Sequence, residues 1–198
     1  MRRTWLTAGL MCLSLVAAAC SGSTATDTTG SGRADIDLFA DRLEEIGIAI
    51  AAWRIADSVE EALVQAETAA NLVVGPNGPG YGDRNGDGAL SGASDVGLLP
   101  GLDGTPGGLA VFPTASDCIV KNVLGGSWDE PAGRWQQMVT AIDTWQPDNN
   151  TMPSLASHPM RIVGWASFSL VTDSLDMMKE YAGHATLHVN ISQRALNC

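Results

Sequence analysis

Residues 34–75, ADIDLFADRLEEIGIAIAAWRIADSVEEALVQAETAANLVVG, decide the fold class of this 198-residue chain. Their apolar residues recur at alternating steps of three and four, which places them on one face of an α-helix. The first set is Ile36, Phe39, Leu43, Ile46, Ile50 and Trp53, and the second is Ala56, Val59, Leu63, Ala66, Ala70 and Val73. Because the register shifts near Asp57, we expect either one helix of about eleven turns or two joined helices, ending at Gly75 and Pro76.

Later segments supply the partner helices that an apolar face of this length needs. Residues 116–126, SDCIVKNVLGG, predict a short helix that is capped by Ser116 and ends at Gly125. Ser127 and Glu130 have the spacing of a capping box before a second helix, which Pro147 bounds. The apolar stripe of this second helix is Trp135, Met138, Ile142 and Trp145.

The C-terminal segment completes the predicted bundle. Residues 162–182 are apolar almost all round, as in a helix at the centre of a bundle. Residues 186–192, TLHVNIS, alternate at period two like a strand, but they adjoin a run of strong helix formers, so we favour a helix that continues past Gly183. The predicted fold is all-α, an antiparallel bundle of three to four helices over residues 35–198. Residues 75–117 interrupt it as an insertion that holds 12 of the 22 glycines.

The N-terminus carries a targeting signal. In MRRTWLTAGLMCLSLVAAAC, Arg2 and Arg3 precede an uncharged apolar run that is too short for a stable membrane anchor, so residues 1–19 are predicted to be a secretory signal peptide. The closing VAAAC resembles the lipobox of bacterial lipoproteins, although Ala17 stands where Leu is usual. The resemblance implies cleavage before Cys20, lipidation of Cys20 and attachment to the outer side of a bacterial cell membrane. The alternative is an ordinary signal peptide, with Cys20 an incidental thiol.

The composition after Cys20 limits the classes of ligand. Residues 20–34 are rich in Ser, Thr and Gly and predict a flexible tether between lipid and domain. Without residues 1–19 the chain has 9 basic and 22 acidic residues, a net charge of −13. Nucleic acid and direct binding to an anionic membrane are therefore disfavoured, since both require clustered Lys and Arg. The acidic excess fits solubility or cation binding.

The cysteines outside the signal peptide point to an oxidising compartment. With Cys20 assigned to lipid, Cys118 and Cys198 remain, and we expect them to form a disulfide that ties the C-terminus to the middle of the chain. The alternative is two free thiols in a metal or redox site, which no CxxC spacing supports.

A metal-binding pattern lies inside the Gly-rich insertion, in DRNGDGALS, residues 83–91. Asp83, Asn85 and Asp87 place oxygen ligands on alternate residues, and Gly88 follows where a sharp turn is needed. The run resembles the calcium loops of EF-hands and of bacterial dockerins, with Leu90 at the apolar eighth position. The resemblance implies further Ca²⁺ ligands from the carbonyl of Ala89 and the side chain of Ser91.

The end of this loop departs from the pattern. Position twelve, which carries an acidic residue in these families, is Ser94, and the nearest carboxylate is Asp95. We expect Asp95, Asp103 or water to complete the site, with a dissociation constant of roughly 0.1 to 1 mM. The competing interpretation is a solvated turn, because NG and DG pairs favour turns by themselves. No second loop of this kind is present, so cohesin binding is not implied.

Two histidines are the remaining candidate metal ligands in the sequence. His184 and His188 stand at i and i+4, a spacing that would place two imidazoles on one helix face for a transition metal or haem. The sequence has no HExxH, no GxSxG and no phosphate-binding Lys motif. We therefore predict a non-enzymatic binding or assembly lipoprotein for an unidentified protein or small ligand, with a structural Ca²⁺ loop. The alternative is a metal or haem bundle that uses His184 and His188, and a third is an unrecognised hydrolase.

Overall fold

All regular structure in the described residues is helical. The computed structural model describes residues 28–108, 117–146, 152 and 155–197, with the backbone alone for residues 28–37. The elements are α1 (Thr28–Ile55), α2 (Val59–Val74), α3 (Asp117–Ile119), a π-helical turn (Val120–Leu124), α4 (Pro131–Asp143), α5 (His158–Ser169) and α6 (Leu175–Ala195). The prediction of an all-α helical bundle is thereby confirmed. None of the described helices combines the length and the apolar content needed to cross a membrane.

Two helices form the segment that decided the fold class. α1 ends at Ile55 and α2 begins at Val59, so the register shift near Asp57 marks a break between joined helices. Ser58 caps α2, because its hydroxyl accepts a hydrogen bond from the N–H of Glu61 at 3.1 Å. The Glu61 carboxylate accepts one in turn from the N–H of Asp57 at 2.9 Å. The second helix ends at Val74, and the capping residue that follows, Gly75, has a positive φ of 63°.

The start of α1 corrects one predicted boundary. α1 begins at Thr28, so residues 28–34 are helical although the composition of residues 20–34 predicts a flexible tether. Starting a helix is costly, but once a long helix exists, each added residue gains one hydrogen bond for the conformational entropy of one residue. The helix can therefore extend into a polar segment. Residues 1–27, which include the predicted signal peptide and Cys20, lie outside the described residues.

α1, α2, α5 and α6 form the core of the bundle. α1 and α6 run antiparallel, since the amide of Gln193 near the end of α6 donates to the carbonyl of Leu43, while Gly47, one turn later on α1, lies against Val189, one turn earlier on α6. Trp53 of α1 and Trp165 of α5 are fully buried in this core. The predicted apolar stripe of α1 is likewise buried, at Phe39, Leu43, Ile46 and Ile50.

The apolar stretch from Ile162 to Ala182 is two helices, which corrects the prediction of one central helix. α5 ends at Ser169, and α6 starts at Leu175 after the Ser174 hydroxyl accepts a hydrogen bond from the N–H of Met177. α5 and α6 form an antiparallel pair, because Phe168 packs on Tyr181 while His158, ten residues earlier in the sequence, meets His188. Packing on both sides explains why the stretch is apolar almost all round. α6 continues to Ala195, so the helical interpretation of residues 184–195 is correct.

α4 packs against α5 and holds the insertion. Trp135 is buried, and its indole N–H donates to the carbonyl of Pro100 at 2.8 Å. The predicted capping box is wrong: α4 begins at Pro131, and the Ser127 hydroxyl accepts from the N–H of Asp129. A Pro at the first helical position has no N–H, so one of the donors at this helix end is absent, and Glu130 stands at the N-cap position without a side-chain capping bond. The preceding helix ends at Gly125 as predicted, and Ser116 lies outside the described residues.

The described part of the Gly-rich insertion returns to α2. The N–H groups of Leu98 and Leu99 donate to the carbonyls of Leu72 and Val73 at 3.2 and 3.1 Å, which satisfies backbone groups in the last turn of α2. Both leucine side chains are fully buried. The insertion therefore crosses the end of α2 and contributes to the core.

Candidate metal loop and buried histidine pair

The candidate metal loop turns around the side chain of Asp83. Its Oδ1 accepts hydrogen bonds from the N–H groups of Gly86 and Asp87 at 2.7 and 3.1 Å, and its Oδ2 accepts from the N–H of Gly88 at 2.8 Å. Gly88 has a φ of 88°, a conformation that side chains with a Cβ rarely adopt. The sharp turn predicted after Asp87 is therefore present.

The other two predicted side-chain ligands face the same turn. Asn85 Oδ1 accepts from the N–H of Asp87 at 2.9 Å, and Asp87 Oδ1 accepts from the N–H of Ala89 at 2.7 Å. The Asn85 amide also donates to Asp87 Oδ2 at 3.0 Å. An ionised carboxylate offers about four lone-pair positions and an amide oxygen two. Each of the three side chains therefore keeps at least one acceptor position for a cation.

A buried glutamate of α2 anchors the loop. Glu67 is 0% exposed, and its Oε2 accepts from the N–H groups of Arg84 and Asn85 at 2.8 and 2.9 Å. Its Oε1 accepts from the N–H of Ser91 at 2.8 Å. One carboxylate thus satisfies three backbone donors from the two sides of the loop. Such charge-assisted bonds are stronger than neutral ones.

Asn71, one helical turn after Glu67, closes the loop. Its Nδ2 donates to the carbonyls of Gly82 and Ser91, both at 2.8 Å, which joins the two ends of the loop. Its Oδ1 accepts from the N–H of Gly82 at 3.3 Å and from Arg84 Nε at 3.1 Å. Four hydrogen bonds satisfy the whole amide, which explains how Asn71 can be 0% exposed.

The loop carries one half-buried cation, Arg84. The Arg84 guanidinium donates to the carbonyl of Pro79 at 2.9 Å as well as to Asn71. Loss of hydration on burial lowers the pKa of Arg84 to about 10, and the nearby charge of Glu67 opposes this shift. Arg84 is therefore still charged at neutral pH and compensates part of the negative charge of the loop.

The loop lies so close to α2 that one position excludes a side chain. A Cβ on Gly92 would lie 2.5 Å from the carbonyl oxygen of Thr68, and Gly92 also has a φ of 73°. Tyr81 supports the same region, since its hydroxyl accepts from the N–H of Ser94 at 3.2 Å. Backbone contact on this scale makes the loop and α2 a single structural unit.

The remaining predicted ligands are placed differently. Ser91 directs its N–H to Glu67 and its carbonyl to Asn71, so its backbone serves the anchor. Asp95 lines a cavity of about 460 Å³ together with Arg42 of α1. Asp103 accepts hydrogen bonds from Thr105, which lower the pKa of Asp103. Leu90, at the apolar eighth position of the resemblance, is 46% exposed.

The described residues contain no group of three or more His, Cys, Asp or Glu side chains arranged to hold a metal. Asp95 therefore does not join Asp83 and Asp87 in such a group. The loop offers two carboxylates, the oxygen of Asn85 and backbone carbonyls, and water would have to complete the coordination of Ca²⁺.

Sequence reasoning missed the two anchor residues. Glu67 and Asn71 are spaced i and i+4 and fall among the alanines of AETAANLVV, residues 66–74, where the helix is otherwise apolar. A charged residue and an amide on a face that must be buried are a signal that a polar partner covers them. The identity of that partner depends on a contact between residues 11 to 24 positions apart.

The histidines form a different arrangement from the predicted one. His158 Nδ1 and His188 Nδ1 lie 3.0 Å apart, between the start of α5 and the second half of α6. The ring of His184 instead stacks on Trp165, with 4.4 Å between ring centroids, and its Nε2 lies 4.0 Å from a Glu180 oxygen. His184 and His188 thus face different partners, and this geometry gives no support to a metal or haem site formed by the two.

The predicted disulfide falls at the edge of the described residues. Cys118 lies in α3, which packs against α6, the helix that ends at Ala195. The Cys118 sulfur accepts a hydrogen bond from the Asn122 amide at 3.3 Å. Cys198 is outside the described residues, so its pairing with Cys118 stays a prediction.

Comparison with known proteins assigns no family. No protein-family model matches the chain, and no curated protein and no solved structure matches it.

Proposed function

We propose that this protein is a lipid-anchored extracytoplasmic lipoprotein, a non-enzymatic binding or assembly module whose loop at residues 83–91 binds a structural Ca²⁺. The observation that carries the proposal is the convergence of Asp83, Asn85 and Asp87 on one turn, with acceptor positions left over on each side chain. Ordinary turns also use Asn and Asp side chains that accept from the backbone two residues on, as Asn85 and Asp87 do. A Ca²⁺ loop further requires several oxygen-bearing side chains on one turn with acceptor positions to spare, and this turn has three.

The anchor on α2 supports a structural role for the ion. Glu67 and Asn71 fix the backbone of the loop, so a bound cation would meet ligands that are already positioned. Binding to a positioned loop stabilises the folded protein, because the unfolded chain offers no such site. The ion would also neutralise the negative charge of Asp83 and Asp87, which lie on the exposed side of the loop.

The test is thermal unfolding of the purified, metal-stripped protein with 10 mM Ca²⁺, Mg²⁺ or Zn²⁺. With a dissociation constant of roughly 0.1 to 1 mM, Ca²⁺ at this concentration stabilises by about 1.4 to 2.7 kcal/mol. At about 2 to 4 °C per kcal/mol for a chain of this size, the midpoint rises by about 3 to 11 °C. Mg²⁺ should give a smaller rise, because it requires strict octahedral geometry.

Two variants make this test specific. Asp83→Asn/Asp87→Asn removes two charges but keeps an oxygen acceptor at each position, so we expect the fold to persist and the Ca²⁺ response to vanish. Asp41→Asn, on the exposed side of α1, is the control and should keep the full response. A calcium response that survives in the double variant would show that the ion binds elsewhere, and no response in the natural protein would refute the calcium proposal.

The anchor is tested separately from the ion. If Cys20 carries lipid, the natural protein fractionates with membranes, and Cys20→Ser releases it into the soluble fraction. Detergent phase partitioning of both proteins measures this. A protein that is soluble without the substitution would favour an ordinary signal peptide and leave the calcium result unaffected.

A further inference from the structure

A pair of histidines joins the two most extensively packed helices of the bundle. His158 is the first residue of α5, and His188 lies in α6, 94% buried. Their Nδ1 atoms are 3.0 Å apart, and their ring planes are inclined by 36°. This distance is that of an N–H···N hydrogen bond, in which one Nδ1 carries a proton and the other accepts it.

The hydrogen bond sets a limit on how many protons the pair can hold. A first added proton goes to the free Nε2 of the donor ring and leaves the Nδ1–H···Nδ1 bond intact. A second proton must go to the accepting Nδ1, and it places two N–H groups of two cations face to face at 3.0 Å. The bond is then lost, and the two charges repel each other across the α5–α6 contact.

The surroundings oppose even the first charge. Burial lowers the pKa of His158, and the charge of Arg161 on α5 lowers it further. Burial is also the main cause that lowers the pKa of His188, to about 3, followed by His158, Arg161 and His184. The first turn of α5 adds the positive end of a helix dipole next to His158.

The neighbouring helices supply no compensating anion to the pair within the described residues. Glu180 of α6 lies against His184, and Glu67, the buried carboxylate of α2, is engaged with the backbone of the metal loop. Arg134 of α4 donates to the carbonyls of Leu124 and Gly125 at the end of the π-helical turn. Among the residues whose side chains the structure describes, no charged group of α1 or of that turn contributes to the pKa shift of either ring.

We propose that the His158–His188 pair is an acid-sensitive contact, which holds α5 to α6 near neutral pH and separates the start of α5 from the end of α6 when both rings are protonated. The device is independent of the metal loop, which lies on α2. On a protein exposed to the medium outside the cell, it would convert acidification into the opening of one helix pair.

The proton balance fixes the sign and the size of the effect. The folded pKa of His188 lies below the unfolded value of about 6.5, so its contribution to stability is complete above pH 6.5 and is lost as the pH falls toward 3. At pH 4.5, His188 alone makes the folding equilibrium constant about one hundred times smaller than at pH 7.5. Most carboxylates remain ionised at pH 4.5, which separates this effect from general acid unfolding.

The experiment compares urea unfolding at pH 7.5 and pH 4.5, with amide hydrogen exchange of α5 and α6 at both values. The natural protein should lose about one-hundred-fold in the folding constant, and exchange should accelerate at the start of α5 and the end of α6 before it does in α1. His158→Asn/His188→Leu should lose less than about threefold. His184→Asn, the matched control on the same helix, removes the smallest of the causes that lower the pKa of His188 and should lose nearly as much as the natural protein.

NMR titration of the imidazoles in the natural protein decides the matter if the double variant does not fold. Ring signals of His158 and His188 that stay neutral at pH 5 while α5 and α6 remain closed support the acid-sensitive contact. Two rings that titrate near pH 6.5 without opening of the helices overturn it. A large Zn²⁺ stabilisation lost in His158→Asn would also overturn it, since the pair would then be a metal site.

Discussion

Replacing Glu67 by Gln tests whether the buried carboxylate anchors the metal loop. The carboxylate accepts three N–H groups, whereas a carboxamide has one oxygen and can accept two. If that oxygen takes the position of Oε2, the new NH₂ group faces the N–H of Ser91 at a site with no access to water. A buried donor without an acceptor costs about 1 to 3 kcal/mol.

The loss of charge adds to this cost. The bonds that survive, to the N–H groups of Arg84 and Asn85, become neutral, and a hydrogen bond to a charged group is worth about 1 kcal/mol more than a neutral one. We therefore expect Glu67→Gln to destabilise the fold by about 3 kcal/mol. For a chain of this size that lowers the melting temperature by about 6 to 12 °C.

Urea unfolding without added metal measures the effect, and hydrogen exchange locates it. The amides of Arg84, Asn85 and Ser91 should exchange much faster in the variant, because they lose their acceptor or bond it more weakly. Glu60→Gln, on the exposed face of the same helix, is the matched control and should change stability by less than about 0.5 kcal/mol. A loss below about 1 kcal/mol for Glu67→Gln, or unchanged exchange at the three amides, would refute the anchoring role.

Three further substitutions probe the same unit and the predicted disulfide. Asn71→Asp turns a donor into an acceptor opposite two carbonyls and should cost about 2 to 3 kcal/mol in urea unfolding, while exposed Asn190→Asp should be nearly neutral. Gly92→Ala adds a Cβ at 2.5 Å from an α2 carbonyl, so its melting temperature should fall by several degrees, and an unchanged value would mean that the loop moves freely. If Cys118 and Cys198 are paired, non-reducing mass spectrometry finds the linked peptides, and substitution of both by Ser costs about 4 kcal/mol; two alkylated thiols would contradict the pairing.

Local chemistry determined the helices but not all of their ends. The period of the apolar residues in α1 and α2 predicts both helices, and Ser58 with Glu61 explains the break between them. The turn between α5 and α6 was not predicted, because residues buried on every side carry no period that marks a boundary. A local sign of it is Ser174, whose hydroxyl accepts from the N–H of Met177 in the first turn of α6.

In the candidate metal loop, too, one part could be predicted from the local sequence and another part depended on the fold. Alternate oxygen-bearing residues and a glycine after the third are local requirements of the turn, so Asp83, Asn85, Asp87 and Gly88 could be predicted from the sequence. Its anchor is a tertiary contact. Glu67 was an acidic residue without an assigned role until the fold brought three backbone donors of the loop to it.

The histidine pair depended on tertiary structure in full. Sequence spacing predicted that His184 and His188 act together, since both lie on one helix four residues apart. The antiparallel packing of α5 on α6 joined His188 to His158, thirty residues away, and turned His184 toward Trp165. Periodicity reports which face of a helix is buried, whereas the partner across that face depends on how two helices align, and alignment is a property of the packed core.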